Sequence, residues 1–346
     1  MESIILSLNS ETLLFYKECF DTNESEKNID VLNWQFFKNG IKNFVDIEFD
    51  KEKNKTAAIY ATFSVNFKIN NHLHIGSQSL DTITDIDYRG QGLFIKLAKD
   101  VYQKAADDGV ALVYGFPNGN SIHGFKSKLD WEVLDPVPFM IKPIKTSYFS
   151  RKISVFKWLP NFNVSFSKYK ESNKFRIEEN FSFPEMVTPL WESFANQIEV
   201  AVQRDKNYLD WRYIQKPFEN YKIAHCYSEN NTYLGFIVYA IKEKHGGKIA
   251  YIMELIFDLK SQKAGRKLLQ YAINQIKKEN ADCILSWCMD HSPNYNVFKK
   301  EFFFKLPEKF RPIELHFGAR AFNKELASTI NNRNNWYLSY SDSDTV

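Results

Sequence analysis

A unit of strand, turn, helix and strand occurs twice in this chain of 346 residues, and the repeat constrains the fold more than any other feature. In each copy an apolar strand ends near a glycine, a helical pattern follows, and a second buried strand comes after it. Gly92 to Tyr114 spans 22 positions (114 − 92), and Gly265 to Trp287 also spans 22 (287 − 265). This duplication predicts two similar α/β units in one chain.

A tryptophan-containing segment precedes the glycine in both copies. Residues 31–36 read VLNWQF, and residues 208–213 read YLDWRY. The two tryptophans lie 58 positions (92 − 34) and 54 positions (265 − 211) before their glycines. The parallel order predicts one domain over residues 1–145 and a second over 175–346, joined by a structured connector over 146–174.

Composition excludes several classes of function. The 45 basic residues against 42 acidic ones give a net charge of +3, which is too small to indicate a nucleic-acid partner. No stretch approaches the roughly 18 to 20 apolar residues of a membrane span, and residues 1–7 lack the basic start of a secretory signal. The 4 cysteines have no CxxC spacing. We therefore expect a cytoplasmic globular protein without a metal site.

The segment 84–94, which reads TDIDYRGQGLF, contains the sharpest candidate for a ligand site. Gly90 and Gly92 allow the backbone to approach a ligand closely, and the first helical turn offers free N–H groups at the positive end of the helix dipole. Arg89 can add a charge-assisted hydrogen bond. The segment suits a diphosphate, although a plain strand-to-helix turn has the same short pattern.

In its context this turn resembles the GNAT acyltransferases, whose signature is Arg or Gln, two residues, Gly, one residue, and then Gly or Ala. Arg89 and Gly92 match that signature, whereas Phe94 stands where it has Gly or Ala. Residues 114–131 resemble the fifth strand and fourth helix of the superfamily, so the resemblance covers about residues 1–145. It implies an α/β (α+β) chain of two tandem GNAT-like domains, each with a mixed central sheet flanked by helices.

The resemblance also implies where acyl-coenzyme A binds. The pantetheine arm would lie beside Ile83 and Thr84 like an additional strand and exchange main-chain hydrogen bonds with them. A backbone N–H of the same strand would then stabilise the oxyanion of the tetrahedral intermediate. The implied coenzyme-binding residues are Ile83, Thr84, Arg89, Gly90, Gln91, Gly92, Leu93, Phe94, Asn118 and Ser121.

Acyl transfer to an amine requires a group that removes a proton from the acceptor. Asp81, beside the coenzyme strand, is the first candidate for this base, and a capping or solvated aspartate is the competing interpretation. Glu254 on the matching strand of the second copy and Asp342 near the C-terminus are further candidates. Many relatives use a tyrosine to protonate the leaving thiolate, but Lys126 stands at that position here. His123 or solvent would replace it, unless His123 is a surface histidine.

A narrower resemblance concerns two-domain GNAT proteins that N-acylate nucleotide-linked amino sugars for bacterial surface polysaccharides. It rests on residues 80–84, 115–118, 209–213 and 341–344. It implies transfer of an acetyl or short hydroxyacyl group, such as 3-hydroxybutanoyl, to the amine of a dTDP- or UDP-linked amino sugar. The sequence leaves open the acyl chain, the sugar and the oligomeric state.

The second copy reads QKAGRK at residues 262–267 and resembles a degenerate coenzyme turn that instead helps to form the acceptor site. Trp211 would act as an aromatic plate, with Arg204 or Arg212 on a nucleotide diphosphate and Asp342 nearby. Core packing is the competing interpretation for Trp211, because Trp34 occupies the same place in the repeat.

Two other functions compete with this interpretation. One is a tRNA-dependent aminoacyl transferase of cell-wall synthesis, because those proteins also duplicate a GNAT-like unit. They lack the diphosphate turn, and the net charge of +3 gives no sign of a basic tRNA channel. The other is a non-catalytic coenzyme- or sugar-binding protein, which fits the missing tyrosine.

Overall fold

The computed structural model describes residues 2–134, 136–146, 158, 162–165, 167, 169–244, 246–311 and 315–343. The strands of the first half are β1 (Ser3–Ser7), β2 (Phe44–Asp50), β3 (Lys55–Ile69), β4 (His72–Thr84), β5 (Leu112–Gly115), β6 (Glu132–Val133) and β7 (Phe139–Pro143). Helices α1 (Thr12–Asp21), α2 (Ile29–Phe37), α3 (Leu93–Asp107) and α4 (Ile122–Lys128) accompany them.

The second half repeats this order of elements. Its strands are β8 (Phe175–Glu179), β9 (Val200–Val202), β10 (Lys222–Ser228), β11 (Tyr233–Lys244), β12 (Gly247–Phe257), β13 (Cys283–Trp287), β14 (Phe304–Lys305) and β15 (Gly318–Ala321). Its helices are α5 (Val187–Phe194), α6 (Lys206–Leu209), α7 (Gln262–Lys278), α8 (Tyr295–Lys300) and α9 (Ala327–Ile330).

The strands form two mixed sheets. The first has the order β1-β2-β3-β4-β5-β15-β6, with β9 paired to β3, and the second has the order β14-β7-β13-β12-β11-β10-β8. Each sheet has one parallel pair, β4 with β5 and β12 with β13, while the other neighbours are antiparallel. The prediction of an α/β chain with two mixed, helix-flanked sheets is confirmed.

The two halves exchange strands. β7 follows the first-half strands in sequence but pairs with β13 and β14 of the second sheet. Conversely, β15 lies between β5 and β6 of the first sheet. The predicted domains 1–145 and 175–346 therefore each lend strands to the other's sheet, and their division into independent units stays a prediction. In the predicted connector, residues 147–157, 159–161, 166 and 168 lie outside the described residues.

The tryptophans of the repeat lie together where the two halves meet. Trp34 and Trp211 stack with ring centroids 4.6 Å apart and an interplanar angle of 12°. The indole N–H of Trp34 donates to the backbone carbonyl of Trp211 at 2.7 Å, and the indole N–H of Trp211 donates to the backbone carbonyl of Trp34 at 3.2 Å. The contact is therefore reciprocal, with the same position of each repeat on either side.

The two long helices follow the apolar periodicity of the sequence. In α3 the buried positions Leu93, Leu97, Val101 and Ala105 recur every fourth residue, so one face packs on its sheet. α7 is organised in the same way, but it begins at Gln262 and contains Gly265 in its first turns. The expectation that both glycines open their helices is therefore wrong for the second copy.

Candidate functional site

The parallel strands β4 and β5 separate before β4 ends. They pair only from Gly76 opposite Leu112 to Ser79 opposite Gly115. β4 continues to Thr84 against β3 on its other side. Among the described residues, the 80–84 segment thus has no strand partner on the side where β5 diverges. Such an edge can form main-chain hydrogen bonds with an extended ligand.

A groove of about 750 Å³ occupies this divergence. That volume lies within the range of pockets that hold cofactors and drug-sized ligands. Of the predicted coenzyme-binding residues, the structure places Ile83, Thr84, Arg89, Phe94, Asn118 and Ser121 on its walls. Asn118 accepts hydrogen bonds from the backbone N–H groups of Asn120 and Ser121, each at 3.1 Å, and so orders the entry to α4.

The glycine turn connects two residues of the groove wall, Arg89 and Phe94, whereas the predicted Gly90, Gln91, Gly92 and Leu93 between them are not among the lining residues. Gly90 and Gly92 have φ values of 79° and 73°, in the left-handed region that favours glycine. An added Cβ at Gly92 would have no neighbour within 4 Å, so the space over the turn is open. The first hydrogen bond of α3 runs from the Lys96 N–H to the Gly92 carbonyl at 3.1 Å. The N–H groups before Lys96 at the helix start therefore have no acceptor within the helix.

Other predicted members of the turn differ in their surroundings. The exposed Arg89 side chain donates through Nε to the Thr84 carbonyl at 3.4 Å, at the edge of the groove. Gln91 is exposed beside it. Leu93 is buried in the core beneath α3 and can contribute only its backbone. The turn therefore combines exposed backbone with one exposed cation, as an anion site requires.

Phe94 forms part of the groove wall. Its ring packs edge-on against Phe125 with centroids 5.3 Å apart. A Cβ built on Gly124 would lie 2.8 Å from the Phe94 ring, so the glycine allows the two helices to approach. The large side chain at the last signature position is thus accommodated between α3 and α4, and the turn itself remains open.

Asp81 lies at a bulge in β4, where the register with β3 shifts and its own φ is 47°. Its carboxylate accepts a hydrogen bond from the Tyr16 hydroxyl at 3.1 Å and forms an ion pair with Lys27. Asp81 and Lys27 line both the groove and a second, smaller cavity. The carboxylate therefore lies at the junction of two spaces.

The smaller cavity has a volume of about 140 Å³ and lies against the stacked tryptophans. Its polar lining includes Lys27, Gln35, Gln78, Asp81, Arg212, Lys216, Ser341 and Ser343. Burial, and next the positive charge of Arg212, lower the pKa of Lys216 to about 7, against the opposing effect of Glu219. No sequence pattern distinguishes Lys27 or Lys216, which lie in ordinary polar segments. Gln35 could have been found, because it occupies the repeat position of Arg212.

His123 lies away from the groove. It is on the exposed face of α4, where its backbone carbonyl accepts from the Ser127 hydroxyl, and it is not among the groove-lining residues. The sequence-based assignment of His123 as the acid is not supported by this position, because an acid must reach the thiolate. Lys126 is exposed on the same helix.

Arg204, Glu254 and Asp342 form a fully buried ion cluster. Arg204 donates through Nε to Glu254 at 3.1 Å and through Nη2 to Asp342 at 2.5 Å. Glu254 also accepts from the hydroxyls of Tyr337 and Ser339, at 2.6 and 2.9 Å. With no exposed surface on Arg204 or Glu254, these groups cannot meet a substrate in this conformation. We infer that the cluster holds the C-terminal segment around Ser339–Asp342 in place.

Arg212 is also buried, but it lies beside the small cavity. It donates to the backbone carbonyls of Ser341 at 3.1 Å and Ser343 at 2.9 Å, and to the Tyr221 hydroxyl at 3.2 Å. Each of its three nitrogens therefore has a partner within the protein, which contrasts with the predicted contact to a nucleotide diphosphate. Of the other predicted acceptor residues, Trp211 lines the cavity while packed on Trp34.

The corresponding divergence in the second sheet is filled by the chain itself. β12 and β13 pair only as far as Ile252 opposite Ser286. The Tyr340 ring then stacks on Trp287 with centroids 4.6 Å apart, and the Ser339–Asp342 turn is bound to Glu254 of β12. Phe257 packs over the helix start, since a Cβ on Gly265 would lie 2.4 Å from its ring.

Within the described part of the chain, no group of three or more His, Cys, Asp or Glu side chains is arranged to hold a metal ion. A search of the same residues also finds no helix with the length and apolar character of a bilayer span.

Solved structures similar to this one include proteins described as N-acyltransferases. A conserved protein of unknown function from Enterococcus faecalis V583, described as a probable N-acyltransferase, is 12% identical with a TM-score of 0.63, over 94% of this chain and 74% of that one. A GCN5-related N-acetyltransferase from Anabaena variabilis ATCC 29413 is 11% identical with a TM-score of 0.64, over 95% and 75%.

Saccharomyces cerevisiae N-myristoyltransferase, solved with bound myristoyl-CoA, is 13% identical with a TM-score of 0.59, over 92% of this chain and 82% of that one. No family model matches the sequence, and no curated protein matches it either. At these identities the likeness establishes the fold, which is a pair of tandem GNAT-like domains. Function has to be argued from the site.

Proposed function

We propose that this protein is an acyl-coenzyme A-dependent N-acyltransferase. The observation that carries the proposal is the open groove at the β4–β5 divergence, which runs from an unpaired strand edge at 80–84 to Arg89 and Phe94, the residues on either side of the glycine turn before α3. An acyl-coenzyme A molecule has an amide-containing arm for the strand edge and a diphosphate for the helix N-terminus. The presence of myristoyl-CoA in the N-myristoyltransferase structure supports this assignment.

The reaction we propose is direct attack by an acceptor amine on the thioester carbonyl. The new C–N bond forms a tetrahedral intermediate, its oxyanion accepts from a backbone N–H of β4, and the C–S bond then breaks to release the coenzyme thiolate. Asp81 takes the proton of the amine, directly or through one water, because it lies where the groove meets the small cavity. Solvent protonates the thiolate, since no acidic side chain of α4 lines the groove.

For the acceptor, we propose the nucleotide-linked amino sugar that the sequence resemblance implies, with an acetyl or short hydroxyacyl donor. The support is the resemblance of residues 80–84, 115–118 and 209–213. Residue 344, part of the same resemblance, lies outside the described residues. Because Arg204 and Arg212 are committed to internal hydrogen bonds, other groups must meet the diphosphate of such a substrate.

The proposal is tested in two stages. Calorimetry should detect binding of acetyl-, butanoyl- or 3-hydroxybutanoyl-coenzyme A to the full chain. Thiol release with a panel of dTDP- and UDP-linked amino sugars should then identify the acceptor. Failure of every coenzyme to bind would refute the donor site, whereas binding without turnover of any amine would favour a non-catalytic coenzyme-binding protein.

A further inference from the structure

The small cavity beside Asp81 has an uneven distribution of charge. Asp81 supplies the carboxylate in the cavity lining and lies at the junction with the groove. Arg212 and Lys216 line the cavity but not the groove. Lys27 lies at the junction, paired with Asp81. An acceptor that bridges the junction therefore meets a carboxylate where its amine reacts and positive charge beyond it.

Gln35 provides an independent indication of a ligand in this cavity. Its side chain lines the cavity and is 7% exposed, and its Nε2 donor has no hydrogen-bond partner within the described residues. Buried side-chain donors are nearly always paired in folded proteins. A ligand oxygen placed in the cavity would supply the missing acceptor.

Lys216 is the second donor available to such an oxygen. Its side chain is 11% exposed, and its Nζ lies 5.5 Å from the centre of the Trp34 ring and 3.4 Å from the Tyr221 hydroxyl. Its one ion-pair partner in the described structure, Glu219, is 3.5 Å away and is held more closely by Lys242, at 2.9 Å. The Lys216 ammonium is therefore incompletely neutralised, and a ligand anion would compensate it.

We propose that this cavity binds an anionic group of the acceptor, a carboxylate or a phosphate, through Gln35 and Lys216 while the acceptor amine lies at Asp81. The inference rests on the proposed acyltransfer and specifies its substrate class. The volume of about 140 Å³ equals that of roughly five waters at ~30 Å³ each, which suffices for an anionic group and a short linker. A nucleoside would have to remain outside it.

The test compares matched pairs of amines that differ in one anionic group. Glycine with glycinamide isolates a carboxylate, and glucosamine 6-phosphate with glucosamine isolates a phosphate. A dTDP-linked amino sugar compared with the free amino sugar adds a diphosphate together with its nucleoside. We expect at least 10-fold higher kcat/KM for the anionic member of at least one pair, and the pair that responds identifies the source of the anion. Equal values within every pair would overturn the inference.

Variants separate recognition from folding. Lys216→Met should raise KM for the anionic member about 10-fold and leave kcat and the neutral member unchanged, because the charge acts on binding alone. Gln35→Met should act in the same direction more weakly. Lys300→Met, the same change at an exposed position of α8, is the matched control. Retention of the full anion preference in Lys216→Met would contradict the proposal.

A binding arm distinguishes failure of this inference from failure of the proposed function. If coenzyme binds but no amine is turned over, the same pairs are titrated against the coenzyme-bound protein by thermal shift. Stabilisation by the anionic members that disappears in Lys216→Met supports the subsite without any chemistry. Absence of such stabilisation overturns the subsite and leaves the coenzyme site standing.

Discussion

The two halves of this molecule use one backbone unit for opposite purposes. In the first sheet, the divergence of the parallel strands is an open groove, whereas in the second it is filled by the chain's own C-terminal segment. Asp81 and Glu254 each lie 11 positions before their glycines (92 − 81 and 265 − 254). One carboxylate borders two cavities and the other is locked to Arg204. The occupant of the divergence, more than the unit itself, decides whether it forms a site.

The helix starts show the same contrast on a smaller scale. Gly92 is the left-handed residue immediately before α3 and has open space above it. Gly265 lies inside α7 under the Phe257 ring, so its lack of a side chain serves packing. A glycine at the same place in a repeat can therefore keep a ligand site open or close it, depending on one neighbouring aromatic side chain.

The largest effect should come from breaking the buried cluster that fills the second divergence. Glu254→Gln keeps the shape, but an NH2 group replaces one carboxylate oxygen, and buried donors that Glu254 accepts from lose their acceptor. We therefore expect a loss of about 3 kcal/mol in unfolding free energy with kcat unchanged. Urea denaturation and steady-state kinetics measure the two quantities. Glu279→Gln, which affects an exposed pair with Lys248, should cost nothing measurable. A folded Glu254→Gln variant with full stability and kcat reduced about 100-fold would instead make Glu254 the base.

In the first half, the corresponding substitution should affect the chemistry. Asp81→Asn should lower kcat by roughly 10²-fold with coenzyme affinity nearly intact, because the amide cannot accept the proton. Asparagine tolerates the left-handed backbone at φ 47°, so the bulge should persist. Asp130→Asn is the matched control, since Asp130 is exposed and also has a positive φ, 54°. Full activity of Asp81→Asn would move the role of base to another group.

A buried histidine of the second half should contribute to acid sensitivity. Burial lowers the pKa of His225 on β10 from its ordinary value of 6.5 to about 4. Between these values the unfolded chain binds the proton and the folded one does not, so stability falls as the pH drops from 6.5 towards 4. We expect a loss on the order of 2 kcal/mol from this group.

The pH dependence of unfolding measures this loss. His225→Gln should flatten the acid limb between pH 6.5 and 4, because a glutamine does not titrate there. An acid limb that persists unchanged in His225→Gln would show that this histidine does not contribute to acid sensitivity.

The smallest effect concerns the open turn. Gly92→Val forces a β-branched residue into φ 73° and adds bulk over the turn, so coenzyme affinity should fall about 10-fold, or 1.4 kcal/mol. Gly109→Val imposes the same backbone strain, at φ 84° and with the same free space, just beyond the C-terminal end of the same helix. The Gly109→Val variant should be less stable but should bind the coenzyme with unchanged affinity. Equal coenzyme affinities of the two variants, measured by calorimetry, would show that the coenzyme does not bind at this turn.

The sequence predicted the two units well because local patterns specify them. Helical periodicity after each glycine and a buried strand 22 positions later are properties of short segments, and both are present. It could not predict the exchange of β7 and β15, because pairing across halves leaves no local pattern. Nor could it show that Arg204 would be satisfied by Glu254 and Asp342, since those residues are 50 and 138 positions away.

The exchanged strands also affect how the chain can be made. β5 ends at Gly115, but its neighbour in the finished sheet, β15, starts at Gly318, 203 positions later (318 − 115). At a ribosome speed of ~5–20 residues per second, this separation is a delay of roughly 10 to 40 s. During that time the edge of β5 has no strand to cover it, and such edges promote aggregation. The nascent first half therefore depends on a strand that is synthesised 203 residues later for its completion, and a chaperone that shields this edge would benefit the protein during synthesis.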